Sequence, residues 1–170
     1  MENSELIIIN NEKIFKENNN FYCSNLDLKI LTEGLNKYFN VKYIARHSHK
    51  REKQKIFLED VKESSNLFTF IKNIIKTFKL PETRYLIISI TPYTFLSFLI
   101  LFLFRKKIFV YLFSNGHEEY KHILGSWSVW IYNIMYLIVT KKSTVIVNHK
   151  RLSNKKNSHL INSSRLDKEW

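Results

Sequence analysis

The sequence predicts an α/β fold: a doubly wound, mostly parallel sheet with helices packed on both faces. Three observations carry that prediction. Short apolar runs recur at residues 5–10, 41–45, 84–90, 107–113 and 143–148. Segments of helical periodicity separate them, so strand and helix alternate along the chain. The first run, "ELIIIN", is apolar at consecutive positions, which suits a strand buried on both faces.

Taken in order, "ELIIIN" (5–10) is the first strand, and the hydrophilic stretch from Asn11 to Ser24 reads as a polar loop. "SNLDLKILTEGLNKYF" then places Leu28, Leu31, Leu35 and Tyr38 on one helical face, with Ser24 or Asn25 as cap and Gly34 on the polar side, where it would permit close packing. "VKYIA" (41–45) is the second strand, and "RHSHKREKQK" after it is too charged to bury and reads as a loop or exposed edge. From Asn66 to Lys79 apolar residues at 67, 70, 71, 74, 75 and 78 define a helix that Pro81 ends. Residues 84–90 form a strand, 92–104 an apolar helix opened by Pro92, and 107–113 a strand. A helix at 126–142, a strand at 143–148, a short helix at 148–153 and a strand-like "HLIN" at 159–162 complete the pattern. Residues 1–162 read as one domain and 163–170 as the start of a linker or a truncated tail.

Composition narrows the function. With 45% hydrophobic residues in 170, the chain can bury a substantial core, so global disorder is excluded. Its net charge of +12 calls for an anionic partner, and the excess lies in two blocks: nine basic against four acidic groups at 46–79, and eight against two at 126–170. Nucleic acid is disfavoured, because no binding motif is present and the lysines recur on the outer faces of amphipathic helices. The lone Cys23 precludes an internal disulfide and reads as a packed side chain. The N-terminus is acidic and lacks the pattern of a signal peptide, so a cytosol-side protein is the expectation.

Leu86 to Phe104 is an uncharged run of nineteen residues, so a membrane span must be weighed. Pro92 splits it, and the remaining helix of about twelve residues would cover only about 18 Å. A surface contact fits better. Arg105, Lys106 and Lys107 follow the apolar helix, and Trp127 and Trp130 lie in the next one, a combination suited to the inner face of an anionic membrane.

For chemistry the densest stretch is "SNGHEEYKHILG". Ligands of parallel sheets bind at the carboxyl ends of the strands. Asn10, Asn11, Arg46, Thr91 and the run Ser114, Asn115, Gly116, His117, Glu118, Glu119 all fall at such ends. Asn115 and Gly116 both tolerate positive φ, predicting a sharp turn into a helix. His117 can exchange a proton near neutral pH, and Glu118 or Glu119 can orient it or act as base if within reach. The alternative is structural: an Asn-Gly turn, with two glutamates stabilising the positive end of the helix. There is no Walker loop, GxGxxG, HExxH or CxxC pair, and His47 and His49 alternate along an extended segment, so no metal or nucleotide cradle is expected.

Taken together, "NNEKIFKENNNFYCSNLDLKILTEGLNKYF", "VYLFSNGHEEYKHILG", "WIYNIMYLIVTKKSTVIVNHKRL" and "HLINSSRLDKEW" resemble the N-terminal domain of a GT-B glycosyltransferase of the family 4 type. The resemblance implies a Rossmann-like, acceptor-binding domain, one half of a two-domain enzyme. It also implies transfer of a sugar from a nucleotide-sugar donor to a glycan or lipid-linked acceptor, without an obligatory metal. His117, Glu118 and Glu119 match the family's cleft loop, and Asn148 with His149 matches the end of the next strand. The family's donor-site E-x7-E pair is missing, since Glu52 and Glu59 are seven apart. The resemblance therefore implies that the domain binds no cofactor itself and needs a donor-binding domain or chain. The glycine-containing loop common after the family's first strand is here "NNEKIFKENNN". The competing expectation is a non-catalytic α/β domain that docks on a membrane surface or another protein.

Overall fold

The computed structural model describes residues 4–80, 82–148 and 158–160. The chain begins with β1 (Glu5–Glu17), β2 (Asn20–Cys23), α1 (Leu26–Asn36), β3 (Asn40–His47), β4 (Gln54–Ile56), β5 (Asp60–Ser64) and α2 (Leu67–Lys76). It continues with β6 (Arg84–Ile88), α3 (Pro92–Leu103), β7 (Lys107–Leu112), α4 (Gly116–Leu124), α5 (Ser128–Lys142), β8 (Thr144–Val147) and β9 (Ser158–Leu160). The fold is α/β, with a mixed, mostly parallel sheet. Its parallel strands lie in the order β5-β3-β1-β6-β7-β8-β9, and β2 and β4 add an antiparallel flank.

Side-chain alternation on β1 divides the core between the two sheet faces. Ile7 and Ile9 pack with Phe70 and Ile74 of α2, Phe98 and Leu101 of α3, and Tyr132, Met135 and Val139 of α5. Leu6 and Ile8 pack on the opposite side with Leu28 of α1, Val41 and Tyr43. Both faces of β1 are thus covered, which is why its sequence reads as an unbroken apolar run. Each such fully buried side chain contributes about 1.5–3 kcal/mol.

Helix ends follow from local chemistry. Asn25 caps α1 by accepting the Leu28 N–H, and Asn66 and Thr91 build reciprocal capping boxes with Thr69 and Thr94 at α2 and α3. At the other end of α3, Arg105 takes φ 53°, while the Arg105 and Lys106 N–H groups donate to Phe102 and Leu101. These paired bonds satisfy the last carbonyls and end the helix without a glycine.

Several expectations are corrected. The stretch 11–24 is not a loop: β1 runs on to Glu17, Asn18 and Asn19 turn with φ 46° and 64°, and β2 returns antiparallel. Two consecutive positive-φ residues match the twist of a tight hairpin, and asparagine tolerates that region better than most residues. The basic segment after β3, expected as a loop or exposed edge, runs into β4, an edge strand beside β2, which agrees with the second alternative; "DVKES" forms β5, a strand the periodicity does not reveal. Tyr38 lies beyond the end of α1 and is 73% exposed, so it is not part of the buried face. Gly34 has nothing within 4 Å of the position its Cβ would take, so close packing does not explain it. The expected short helix at 148–153, apart from Asn148, lies outside the described residues, as do Pro81, His149 and the segment 163–170.

Candidate functional site

The neighbours of β1 run backward in chain order on one side (β3, β5) and forward on the other (β6, β7, β8). At such a reversal the adjacent crossovers leave on opposite faces, opening a crevice beyond the carboxyl ends. A cleft of about 330 Å³ lies there. Its walls are Asn10 and Glu12 of β1, Asn25, Asp27 and Leu28 at the start of α1, Ile88 at the end of β6 and Ser89 after it, Phe113 and Ser114 from the β7–α4 connection, and Glu119 of α4.

Local backbone chemistry builds each wall. Asn10 pairs with Ile88 as the last register contact between β1 and β6, and its Oδ1 accepts the Glu12 N–H at 3.2 Å. The β1–β3 register then shifts between Ile9 and Lys13. Such an irregularity bends the strand, here where its second half leaves the parallel sheet for the hairpin. Ser24 Oγ donates to Glu12 Oε1, tying the strand to the entry of α1. Ser89 holds φ 61°, with its N–H donating to Tyr111 O at 2.9 Å and its carbonyl accepting from Thr94 Oγ1 at 2.9 Å. A non-glycine residue fixed in the left-handed region at the mouth of a cleft is a strained position held by its surroundings. Behind Phe113, Asn148 Nδ2 donates to Phe113 O at 3.0 Å, linking the ends of β7 and β8, while its Oδ1 is buried without a hydrogen-bond partner among the described residues.

The structure separates the expected residues by the period of the strand. Asn10 faces the cleft. Asn11 and Arg46, on the opposite sheet face, form their own cluster: Arg46 Nη1 donates to Asn11 Oδ1 at 3.5 Å and its guanidinium lies 4.7 Å from the Tyr93 ring centre. Thr91 serves as the cap of α3. Glu119 and Ser114 reach the cleft, whereas His117 turns toward α5. Its ring stands edge-on to Tyr132 and Tyr136 at 4.7 and 5.3 Å, and Nε2 is hydrogen-bonded to Asn133 Oδ1. Residues two apart on a helix point to opposite sides, so His117 and Glu119 cannot share one small site from these positions. Glu118 is exposed, and both glutamates lie in the first turn of α4, where they complement the helix dipole.

The turn before α4 is also corrected. Neither Asn115, at φ −79°, nor Gly116 takes a positive φ. Gly116 is buried, and a Cβ there would lie 2.2 Å from a ring carbon of Tyr132. The glycine makes room for a tyrosine, not for a turn.

Three carboxylates therefore line the cleft of a chain whose net charge is +12, with no lysine or arginine among the lining residues. The nearby Cys23 thiol, buried and close to Glu12, is pushed up to about 11, so it stays protonated and unreactive at neutral pH. Burial also holds the Tyr43 hydroxyl well above its ordinary range. Among the described residues no group of three or more His, Cys, Asp or Glu side chains is arranged to hold a metal ion. His47, at the end of β3, instead pairs with Glu63 at 2.8 Å.

The sequence reading missed Glu12, Asn25, Asp27, Ser89 and Phe113 as parts of one site. The available signal was the hairpin: once β1 is extended past Asn10, alternation puts Glu12 on the same face as Asn10. Comparison with protein families, curated proteins and solved structures finds no match to this chain.

Proposed function

We propose that the chain is the acceptor-binding, Rossmann-like half of a GT-B-type glycosyltransferase. It contributes to transfer of a sugar from a nucleotide-sugar donor to a glycan or lipid-linked acceptor on the cytosolic side of a membrane, the donor being bound by a partner domain or chain. The observation that carries the reading is the cleft at the strand-order reversal, lined by Glu12, Asp27, Glu119, Asn10, Asn25, Ser89 and Ser114, with Phe113 and Leu28 beside them. Carboxylates and amides suit the hydroxyls of a sugar, and an aromatic ring suits its C–H face. About 330 Å³ is at the lower end of ligand sites and fits one or two sugar units.

In this reading an acceptor hydroxyl oxygen forms a bond to the anomeric carbon of the donor while the bond from that carbon to the nucleotide's phosphate oxygen breaks. The hydroxyl proton passes to a cleft carboxylate, with Glu119 the best placed of the residues in "SNGHEEYKHILG", and the nucleoside diphosphate leaves with the electron pair. His117 supports the reaction only indirectly, by fixing α4 on α5.

Calorimetric titration with a panel of mono- and disaccharides, free and on short polyprenyl diphosphates, tests acceptor binding. The expected outcome is at least one saccharide bound, with affinity falling about tenfold in Glu119→Ala, since a lost charged hydrogen bond is worth roughly 1.5–3 kcal/mol. Binding unchanged by Glu119→Ala and by Asp27→Asn would remove the cleft from the account.

A further inference from the structure

The outer side of α5 is as apolar as its inner side. Tyr132, Met135 and Val139 are buried against the sheet, while Trp127, Trp130, Ile131, Ile134, Leu137 and Ile138 are between 38% and 69% exposed. Spaced at three and four residues, these six form one continuous outward stripe. The stripe has apolar neighbours at both ends. Ile123 and Leu124 of α4 precede Trp127 and are 76% and 51% exposed, and Phe102 and Leu103 at the end of α3 meet Lys142, whose Nζ lies 5.8 Å from the Phe102 ring centre. A free monomer rarely leaves so large an apolar surface in water.

We infer that this surface of α3, α4 and α5 docks the protein onto an anionic lipid bilayer. Charge identifies the occupant. Apart from Glu118 and Glu119, the chain has no acidic residue from Thr83 to Leu166. Along α3 and α5 the charged residues bordering the apolar stripe are therefore all basic, Lys141 and Lys142 at the end of α5 and Arg105 and Lys107 beyond α3, all exposed, while α4 carries exposed Lys121 beside exposed Glu118. A basic border beside an apolar stripe carrying two exposed tryptophans matches acyl chains beneath anionic headgroups, the tryptophans sitting at the level where one end is apolar and the other wet. No helix among the described residues is long and apolar enough to cross a membrane, so the contact is one of depth, not of spanning.

Lys106, expected as a membrane contact, is drawn inward: its Nζ donates to Phe78 O at 3.3 Å and lies 4.9 Å from the Phe78 ring centre. It closes the α2 end and adds little to docking. The acidic cleft lies at the carboxyl edge of the sheet, away from the cationic end of α5, and α4 connects the two regions, sending Glu119 to the cleft and Ile123 and Leu124 to the apolar surface. The inference does not depend on sugar transfer, and its test reads lipid binding alone.

The test is flotation of the full chain with vesicles of phosphatidylcholine alone or with about 30% phosphatidylglycerol, at low and moderate salt, with Trp170→Phe removing the third tryptophan. The expected result is flotation with the anionic vesicles only, weakened by salt, together with quenching of Trp127 and Trp130 by bromine-labelled acyl chains. Ile134→Glu with Leu137→Glu should lower partitioning at least tenfold, and Lys141→Ala with Lys142→Ala by on the order of tenfold, with the circular dichroism spectrum unchanged. Absence of flotation and of quenching at low salt overturns the inference, and so does a stable dimer in solution that Ile134→Glu dissociates while flotation is absent. Because quenching is measured on the unsubstituted α5 surface, a poorly folding variant leaves the test intact.

Discussion

At the scale of single residues, the most informative position is Gly116. Its value lies in the absent side chain, since the Tyr132 ring occupies the space a Cβ would need, 2.2 Å away. Gly116→Ala must push apart α4 and α5 or move a buried tyrosine. The expected cost is about 1–3 kcal/mol in urea unfolding, the range for overpacking a core, and a cost near zero would show that Tyr132 moves freely. Cys23 gives a pH dependence. Its folded thiol is raised to about 11 from an ordinary value near 9.0, so its contribution to stability is complete below pH 9. As pH rises from 9 through 11, the unfolded chain loses the proton first and that contribution disappears. Unfolding followed at intervals from pH 8 to 11 should show a loss of stability that is smaller in Cys23→Val. These features differ in how far the sequence exposes them. "SNGHEEYKHILG" is conspicuous by composition, yet composition says nothing of direction: helical geometry sends Glu119 to the cleft and His117 to Asn133.

At the scale of elements, the pattern of apolar runs is sufficient for the five main strands and their helices, because β1, β3, β6 and β7 each hold three or more consecutive buried residues and β8 is wholly β-branched. It fails for β2, β4 and β5, which are only four, three and five residues long: Phe21, Cys23, Ile56 and Val61 are buried in the core, but each strand offers too few apolar positions to set a period, and β5 adds Asp60, Lys62 and Glu63. The β1–β2 hairpin is the instructive case. Its turn rests on Asn18 and Asn19 at positive φ, a conformation that costs most other residues about 1–2 kcal/mol each. Replacing both by alanine should destabilise the protein by roughly 2–4 kcal/mol and loosen Glu12, which the hairpin carries. Hydrogen exchange confined to β2 and β4 is the expected signature, and unchanged protection there would separate the hairpin from the cleft.

At the scale of the whole molecule, two chemically opposite regions share one sheet. Strand order puts an acidic, hydroxyl- and amide-lined cleft where β1 meets β6, and the last crossover helix turns an apolar face with a cationic border outward. A net charge of +12 hides this division, because the sum reports the borders of α3 and α5 and not the cleft. The division suits a protein that rests on an anionic membrane while holding a neutral polyhydroxylated group beside it. The central claim concerns the cleft, and amide shift mapping of the chain during titration with the best-binding saccharide tests it most directly. The account expects shifts concentrated at Asn10, Glu12, Asn25, Ser89, Ser114 and Glu119. Shifts confined to the Arg46–Tyr93 cluster or to α5, or no saccharide producing any, would contradict it.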